Sequence, residues 1–210
     1  MKNNNKFFSS TKNLVTLSLL TAIVAILSYL GGFIKIGGLA SISLTLIPVV
    51  VGAAMLGPWA GAWLGGVSGV IFFATADAAF WFGLNIGGTI ITVLTKGVLA
   101  GLAAGLVYKA LEGFNRYVAI IVAAVACPVV NTGVFLLGCI IFFMDTVQAG
   151  AIAEGLSAGA YLILFFVGLN FVFEFVVNVV VSPAIARIVD IAEGKFKKTA
   201  PTEESTKESE

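Results

Sequence analysis

The sequence predicts an all-α integral membrane protein, a six-transmembrane-helix bundle with both termini in the cytoplasm. The first observation is composition, because 59% of the 210 residues are hydrophobic and only 11% are charged, whereas a soluble domain carries about 25% charged residues. The second is the grouping of apolar residues into runs that approach the ~20 residues needed to cross a bilayer as a helix. The third is the position of the basic residues, which fall almost entirely on one side of that arrangement.

The predicted spans are separated by turns and by polar or glycine-rich connections. Their boundaries are Leu14–Phe33, Ser41–Met55, Trp59–Thr75, Ile86–Leu111, Val118–Phe143 and Tyr161–Val189. Together they form a membrane domain over 14–193, between a cytoplasmic N-terminal segment over 1–13 and a disordered cytoplasmic tail over 194–210. The tail is polar and contains too few apolar residues to bury a core.

Local features explain where the spans begin, end or bend. The first has no A-x-A-like cleavage site, so we expect a retained span and not a removed signal peptide. The second is short and contains Pro48, and Gly57-Pro58 separates it from the third. Pro128 in the fifth span and Pro183 in the sixth should loosen those helices, because proline lacks a backbone N–H.

Positive charge sets the predicted orientation. The basic residues on one side are Lys2, Lys6, Lys12, Lys109, Arg116, Arg187, Lys195, Lys197, Lys198 and Lys207. The connections on the other side hold Lys35 together with Asp77, Asp145 and Glu154. Lys and Arg mark the cytoplasmic face of membrane proteins, so both termini are expected there.

Two connections on the outside are unusually apolar. They are Ala76–Asn85 and Asp145–Ala160. One interpretation is an interfacial segment with Trp81 and Phe82 as an aromatic belt. The other is a lid over an outward-facing pocket, which would bring Trp81 and Asn85 to a ligand. The sequence favours neither.

Small residues mark three helix faces. Gly61, Gly65 and Gly69 recur every four residues in the third span, and Gly97, Gly101 and Gly105 do so in the fourth. Such spacing keeps the glycines on one face and is typical of close helix packing within a protein. The first span has a similar smooth face, formed by Ser18, Thr21, Ala22 and Ala25. That face is suited to docking, either within the chain or against another subunit.

Polar side chains recur at helical spacing deep inside three spans. They are Thr89, Thr92 and Lys96 in the fourth, Asn131 and Thr132 in the fifth, and Asn170, Glu174 and Asn178 in the sixth. A charge at membrane depth costs about 2.5–3.5 kcal/mol, so Lys96 and Glu174 should face a protein interior or a wet cavity. We interpret these residues as a site for a polar solute, with Lys96 binding a carboxylate and the others binding hydroxyls and amides. Alternatively, Lys96 and Glu174 pair with each other and the asparagines join helices.

Absent motifs exclude several classes of function. The sequence has no histidine, which excludes His-based metal sites and Ser–His triads. It also lacks the G-x-x-x-x-G-K-[ST] phosphate loop, so the chain does not hydrolyse ATP by that route. Cys127 and Cys139 lie three helical turns apart and are expected to be inert core residues. We therefore expect neither an enzyme nor a bound cofactor or metal.

Several segments resemble the substrate-binding S components of energy-coupling factor (ECF) vitamin transporters. Leu46–Gly69 resembles the family's second and third helices, which are joined by a Leu-Gly-Pro turn. Thr95–Gly101 resembles its fourth helix, and Asn131-Thr132 its fifth. Asn170-x-x-x-Glu174, followed by Ser182–Ile185, resembles its sixth. The resemblance extends from Leu14 to about Val189.

The resemblance implies a bundle whose outward pocket, closed by the first and third outside loops, binds a vitamin. It also implies a bacterial plasma-membrane complex with a transmembrane coupling subunit and two cytoplasmic ATPases. The family's Ala-x-x-x-Ala docking motif would correspond here to Ser18-x-x-x-Ala22 and Thr21-x-x-x-Ala25. Lys96 favours a carboxylate-bearing B-type vitamin such as pantothenate or folate.

Two further functions remain as alternatives. One is a self-sufficient secondary transporter or channel for a small polar solute, with Glu174 as the ion-coupled group. Its weakness is that the sequence shows no clear inverted repeat. The other is a membrane-embedded enzyme or a structural partner, which the missing nucleophile–base motif disfavours.

Overall fold

The computed structural model describes residues 11–31 and 44–192, and most of these residues are helical. The elements are α1 (Thr11–Gly31), α2 (Leu46–Leu56), α3 (Pro58–Phe72), α4 (Ala76–Leu84), α5 (Ile86–Leu111), α6 (Arg116–Phe142), α7 (Met144–Ala153), α8 (Ala158–Tyr161), a π-helical segment (Leu162–Val167) and α9 (Gly168–Ala192). Residues 1–10, 32–43 and 193–210 lie outside the described residues, and they include most of the predicted N-terminal segment 1–13 and the whole predicted tail 194–210. The all-α class is thus confirmed.

The spans agree with the prediction in part. Within the described residues, four helices are long and apolar enough to cross a membrane, namely Thr11–Gly31, Ile86–Leu111, Arg116–Phe142 and Phe171–Ile191. Counting each of two bent helix pairs as one span raises the number to six. The predicted second span corresponds to α2, which has 11 residues and is therefore too short to cross about 30 Å of hydrocarbon alone. The count of six and the cytoplasmic position of the termini stay predictions.

Both apolar connections on the predicted outside contain helices. The chain turns by 83° between α3 and α4, and by 96° between α7 and the α8 region. The side chain of Asn85 ends the first connection by capping α5, because its Oδ1 accepts a 2.8 Å hydrogen bond from the Gly88 backbone N–H. Asn115 caps α6 in the same way, accepting from Tyr117 and Val118.

The α3 and α5 helices pack backbone to backbone along their glycines. A Cβ on Gly65 would overlap the carbonyl of Gly97, and a Cβ on Gly61 would overlap that of Gly101. This confirms the prediction that the stripes serve packing within the chain. Gly57, which joins α2 to α3, has φ 97°, a conformation that costs little only for glycine.

The buried apolar side chains form two clusters. The large cluster joins α1, α2, the second half of α5, the first half of α6 and the end of α9. The small cluster lies at the opposite end of the bundle and is built from Trp81, Cys139, Phe143, Val147 and Leu162. Cys127 and Cys139 are both free and buried, as predicted.

Candidate functional site

Polar side chains lie between the two apolar clusters on several helices. On α6, Cys127 belongs to the large cluster and Phe135 packs against the small one, with Asn131 between them. The same order recurs on α3, where Ser68 lies between Leu64 of the large cluster and Phe72, which packs against the small one. The residues of this polar layer are Ser28 on α1, Thr45 before α2, Ser68 on α3, Lys96 on α5, Asn131 on α6, and Glu174 and Asn178 on α9. Four of them, Thr45, Ser68, Lys96 and Asn131, line one cavity.

That cavity has a volume of about 50 Å³, enough for one or two water molecules. Its remaining walls come from α2, α3 and α5, and they include Val49, Gly65, Gly69, Phe72, Val93 and Gly97. Pockets for drug-sized ligands have volumes of about 300–1,000 Å³. The cavity therefore matches one polar group of a ligand and not a whole organic molecule.

Lys96 places its ammonium against aromatic rings. Its Nζ lies 5.0 Å from the ring centroid of Phe135 and 5.9 Å from that of Phe72, within the range of cation–π attraction. The carboxylate of Glu174 also attracts this ammonium electrostatically. The ammonium thus contacts two aromatic rings at one side of the cavity.

Glu174 and Asn178 occupy neighbouring turns of α9 and are 3% and 1% exposed. The Asn178 side-chain amide donates a 2.8 Å hydrogen bond to the backbone carbonyl of Glu174. Its other atom, Oδ1, is buried and has no hydrogen-bond partner among the described residues. The side chain of Asn170, the first residue of this predicted stripe, is outside what the structure describes.

The structure places Thr92 and Asn85 away from the cavity lining. Thr92 is 3% exposed and packs against Gly138 of α6, where an added Cβ would overlap the threonine side chain. Asn85 is exposed and uses its side-chain oxygen to cap α5. Of the predicted binding residues, the cavity thus brings together Lys96 and Asn131.

Trp81 covers the site from α4. Its ring lies 5.5 Å from Phe135 and 5.2 Å from Phe143, edge to face in both cases. The indole is 6% exposed, so the interpretation of Trp81 as a surface aromatic belt is wrong. Since Phe135 touches both Trp81 and the Lys96 ammonium, a continuous aromatic contact connects the covering helix to the cation.

Three hydroxyl groups form hydrogen bonds beside the cavity, and two of them, on Thr45 and Ser68, line it. Ser28 Oγ donates to Ser68 Oγ at 3.1 Å, and Ser68 Oγ lies 3.3 Å from Thr45 Oγ1. Sequence reasoning missed these residues, and it also missed Phe72 and Phe135. The two phenylalanines had a signal, because each follows a residue of the polar layer by four positions on one helix face.

The small-residue face of α1 is partly open. Ser18 and Ala22 are exposed, whereas Thr21 and Ala25 are half-buried. The Thr21 hydroxyl accepts a 3.2 Å hydrogen bond from Trp63 Nε1 on α3 and donates to the Leu17 carbonyl. This face therefore contacts α3 along one edge and leaves Ser18 and Ala22 accessible.

Within the described residues, no group of three or more His, Cys, Asp and Glu side chains could hold a metal ion.

A family model described as ECF transporter, substrate-specific component, matches residues 12–186. The matched region includes all the residues of the polar layer and the covering helix α4. No curated protein matches the chain.

Proposed function

The chain belongs to the family of ECF transporter substrate-specific components, and we propose that it binds a B-type vitamin with high affinity for an ATP-driven importer. The family consists of transporter components and not of enzymes, and the long apolar helices make the chain a multi-pass membrane protein. We place it in the plasma membrane of a bacterium.

The observation that carries this proposal is the Lys96 ammonium at a cavity between the two apolar clusters of the bundle. A buried cation is costly at membrane depth and typically marks the path or binding site of a solute. Asn131 on the same cavity adds an amide that can donate and accept. A substrate carboxylate that contacts Lys96 would form a charge-assisted hydrogen bond, roughly twice as strong as a neutral one.

The substrate is a carboxylate-bearing vitamin such as pantothenate or folate. The cavity of about 50 Å³ accepts the carboxylate end, and the rest of the vitamin needs space that the covering aromatic side chains now fill. Trp81, Phe135 and Phe143 stand between the cavity and the α4 end of the bundle. The vitamin is therefore expected to displace this cover when it binds.

Transport requires partners, which we propose are a transmembrane coupling subunit and two cytoplasmic ATPases. The sequence has no phosphate loop of its own. The accessible face of α1, with Ser18 and Ala22 exposed and Thr21 and Ala25 beside them, supplies a smooth surface for the coupling subunit. Small residues allow the close backbone approach on which helix association in a membrane depends.

Reconstitution into liposomes tests this proposal. The protein alone should bind its vitamin without concentrating it under a proton or sodium gradient, and added coupling and ATPase subunits should make uptake depend on internal ATP. Ala22→Trp should abolish that uptake and leave binding near normal. Gly133→Trp on α6 is the control, since a Cβ there meets no atom within 4 Å. Gradient-driven accumulation by the lone protein would refute the proposal and favour a secondary transporter with Glu174 as the ion-coupled group.

A further inference from the structure

The hydroxyl chain of Ser28, Ser68 and Thr45 has a feature that helix packing alone does not require. Each hydroxyl carries one proton and two acceptor lone pairs. The chain contains two hydrogen bonds, Ser28 to Ser68 at 3.1 Å and the 3.3 Å contact of Ser68 with Thr45. The three hydroxyls thus carry three protons, and the two hydrogen bonds between them use two of these protons.

Whichever of Ser68 and Thr45 donates their shared hydrogen bond, the remaining proton belongs to a residue of the cavity wall. If Ser68 donates to Thr45, the Thr45 proton remains. If Thr45 donates to Ser68, the Ser68 proton remains, because Ser68 then accepts from both neighbours. Thr45 and Ser68 both line the cavity that contains Lys96 and Asn131. Thr45 is 3% exposed, so bulk water is a poor competitor for this donor.

We propose that Thr45 and Ser68 form a neutral subsite that donates a hydrogen bond to an uncharged oxygen of the substrate, a carbonyl or hydroxyl oxygen. Ser28 is a positioning residue, because its own proton is committed to Ser68 and holds that hydroxyl in place. This inference rests on the proposed function and narrows the substrate class. The substrate carries a carboxylate for Lys96 and a neutral oxygen within the span of the same small cavity.

The rival explanation is that the hydroxyls only join α1, α2 and α3. A hydrogen bond between membrane helices contributes on the order of 1 kcal/mol to stability, so a stability measurement alone does not distinguish the two roles. Binding of matched ligands does distinguish them. Loss of a subsite donor lowers the affinity for the ligand that has the oxygen and leaves the affinity for its deoxy analogue unchanged.

The test begins with purified wild-type protein and a panel of thiamine, riboflavin, niacin, pantothenate, pyridoxine, biotin, folate and cobalamin. Calorimetry with the vitamin that binds most tightly then compares wild type with Thr45→Val and Ser68→Ala. Each variant should raise Kd about two- to tenfold, the effect of one neutral hydrogen bond. Thr16→Val is the control, because the Thr16 hydroxyl bonds to the Lys12 carbonyl within α1.

The ligand series and Ser28 complete the experiment. Analogues that lack one carbonyl or hydroxyl oxygen should include one that binds wild type and Thr45→Val equally. Ser28→Ala should weaken binding of the parent vitamin, and Ser28→Thr, which restores a hydroxyl, should recover it. If a vitamin binds wild type and both wall variants with equal Kd, the subsite is refuted and the proposed function stands. If no vitamin in the panel binds wild type, the proposed function fails and the subsite fails with it.

Discussion

Replacement of Lys96 by methionine tests the candidate site most directly. Methionine keeps much of the length and apolar character of the lysine stem and removes the charge and its three N–H donors. We expect Lys96→Met to weaken the binding of a carboxylate-bearing vitamin and to leave the neutral amide derivative of that vitamin almost unaffected. The reason is that the Lys96 ammonium lies on the cavity wall, where it attracts a carboxylate but not a neutral amide.

The expected magnitude follows from the contacts of the ammonium. A hydrogen bond to a charged group contributes about 1.5–3 kcal/mol, so Kd should rise roughly 10- to 150-fold. If the carboxylate draws the ammonium away from Phe135, whose ring centroid is 5.0 Å away, that cation–π contact is lost. Its loss, about 2 kcal/mol when desolvated, would offset part of the binding free energy that the hydrogen bond contributes. The measured effect should therefore lie toward the lower end of that range.

Isothermal titration calorimetry in detergent provides the measurement. Lys109→Met is the matched control, because Lys109 lies on the same helix at the far end of α5 and does not line the cavity. Lys96→Ala should behave like Lys96→Met, since both remove the charge. Equal affinity of wild type and both Lys96 variants for the carboxylate vitamin would refute the assignment.

Three other predictions concern the charge pair, the helix contact and the cover. Glu174→Gln should lower the melting temperature by several degrees, because it leaves the Lys96 charge without its nearby counter-charge. The double variant Lys96→Met/Glu174→Gln should restore stability but not binding. A double variant that is no more stable than Glu174→Gln would contradict this prediction. Gly65→Ala should cost about 1–3 kcal/mol because its Cβ would overlap the Gly97 carbonyl, whereas Gly133→Ala should be neutral or stabilising in a thermal melt. With the two exposed tryptophans of α3 replaced by phenylalanine, Trp81 fluorescence should shift to the red when a vitamin binds, and an unchanged spectrum at saturation would mean that the cover stays in place.

Helix positions and the polar layer could be predicted because each depends on a periodic pattern. Lys96 and Glu174 stand out in apolar runs, and the glycine stripes predict a close contact whose partner the structure identifies as α3 against α5. The Gly57-Pro58 turn located the start of α3 to within one residue, since the predicted span begins at Trp59 and the helix begins at Pro58. These signals are local, so a single sequence contains them.

Other features depend on tertiary contacts and could not be predicted in the same way. Phe135 is one of many phenylalanines in an apolar chain, and only packing shows that its ring lies between Trp81 and the Lys96 ammonium. Ser28, Ser68 and Thr45 are far apart in sequence, and serines and threonines in a membrane helix commonly bond to their own backbone.

The energetic cost of the polar layer supports a binding role over a purely structural one. Asn178 Oδ1 is buried without a hydrogen-bond partner among the described residues, and such a group costs about 1–3 kcal/mol. The two apolar clusters on either side already hold the helices together. Apolar residues of similar volume at these positions would make the bundle more stable. Replacement of buried ion pairs by packed apolar residues in other proteins often has this effect. A layer that combines Lys96, Asn131 and an unused hydroxyl proton at one cavity is therefore better explained by a solute that satisfies these groups when it binds.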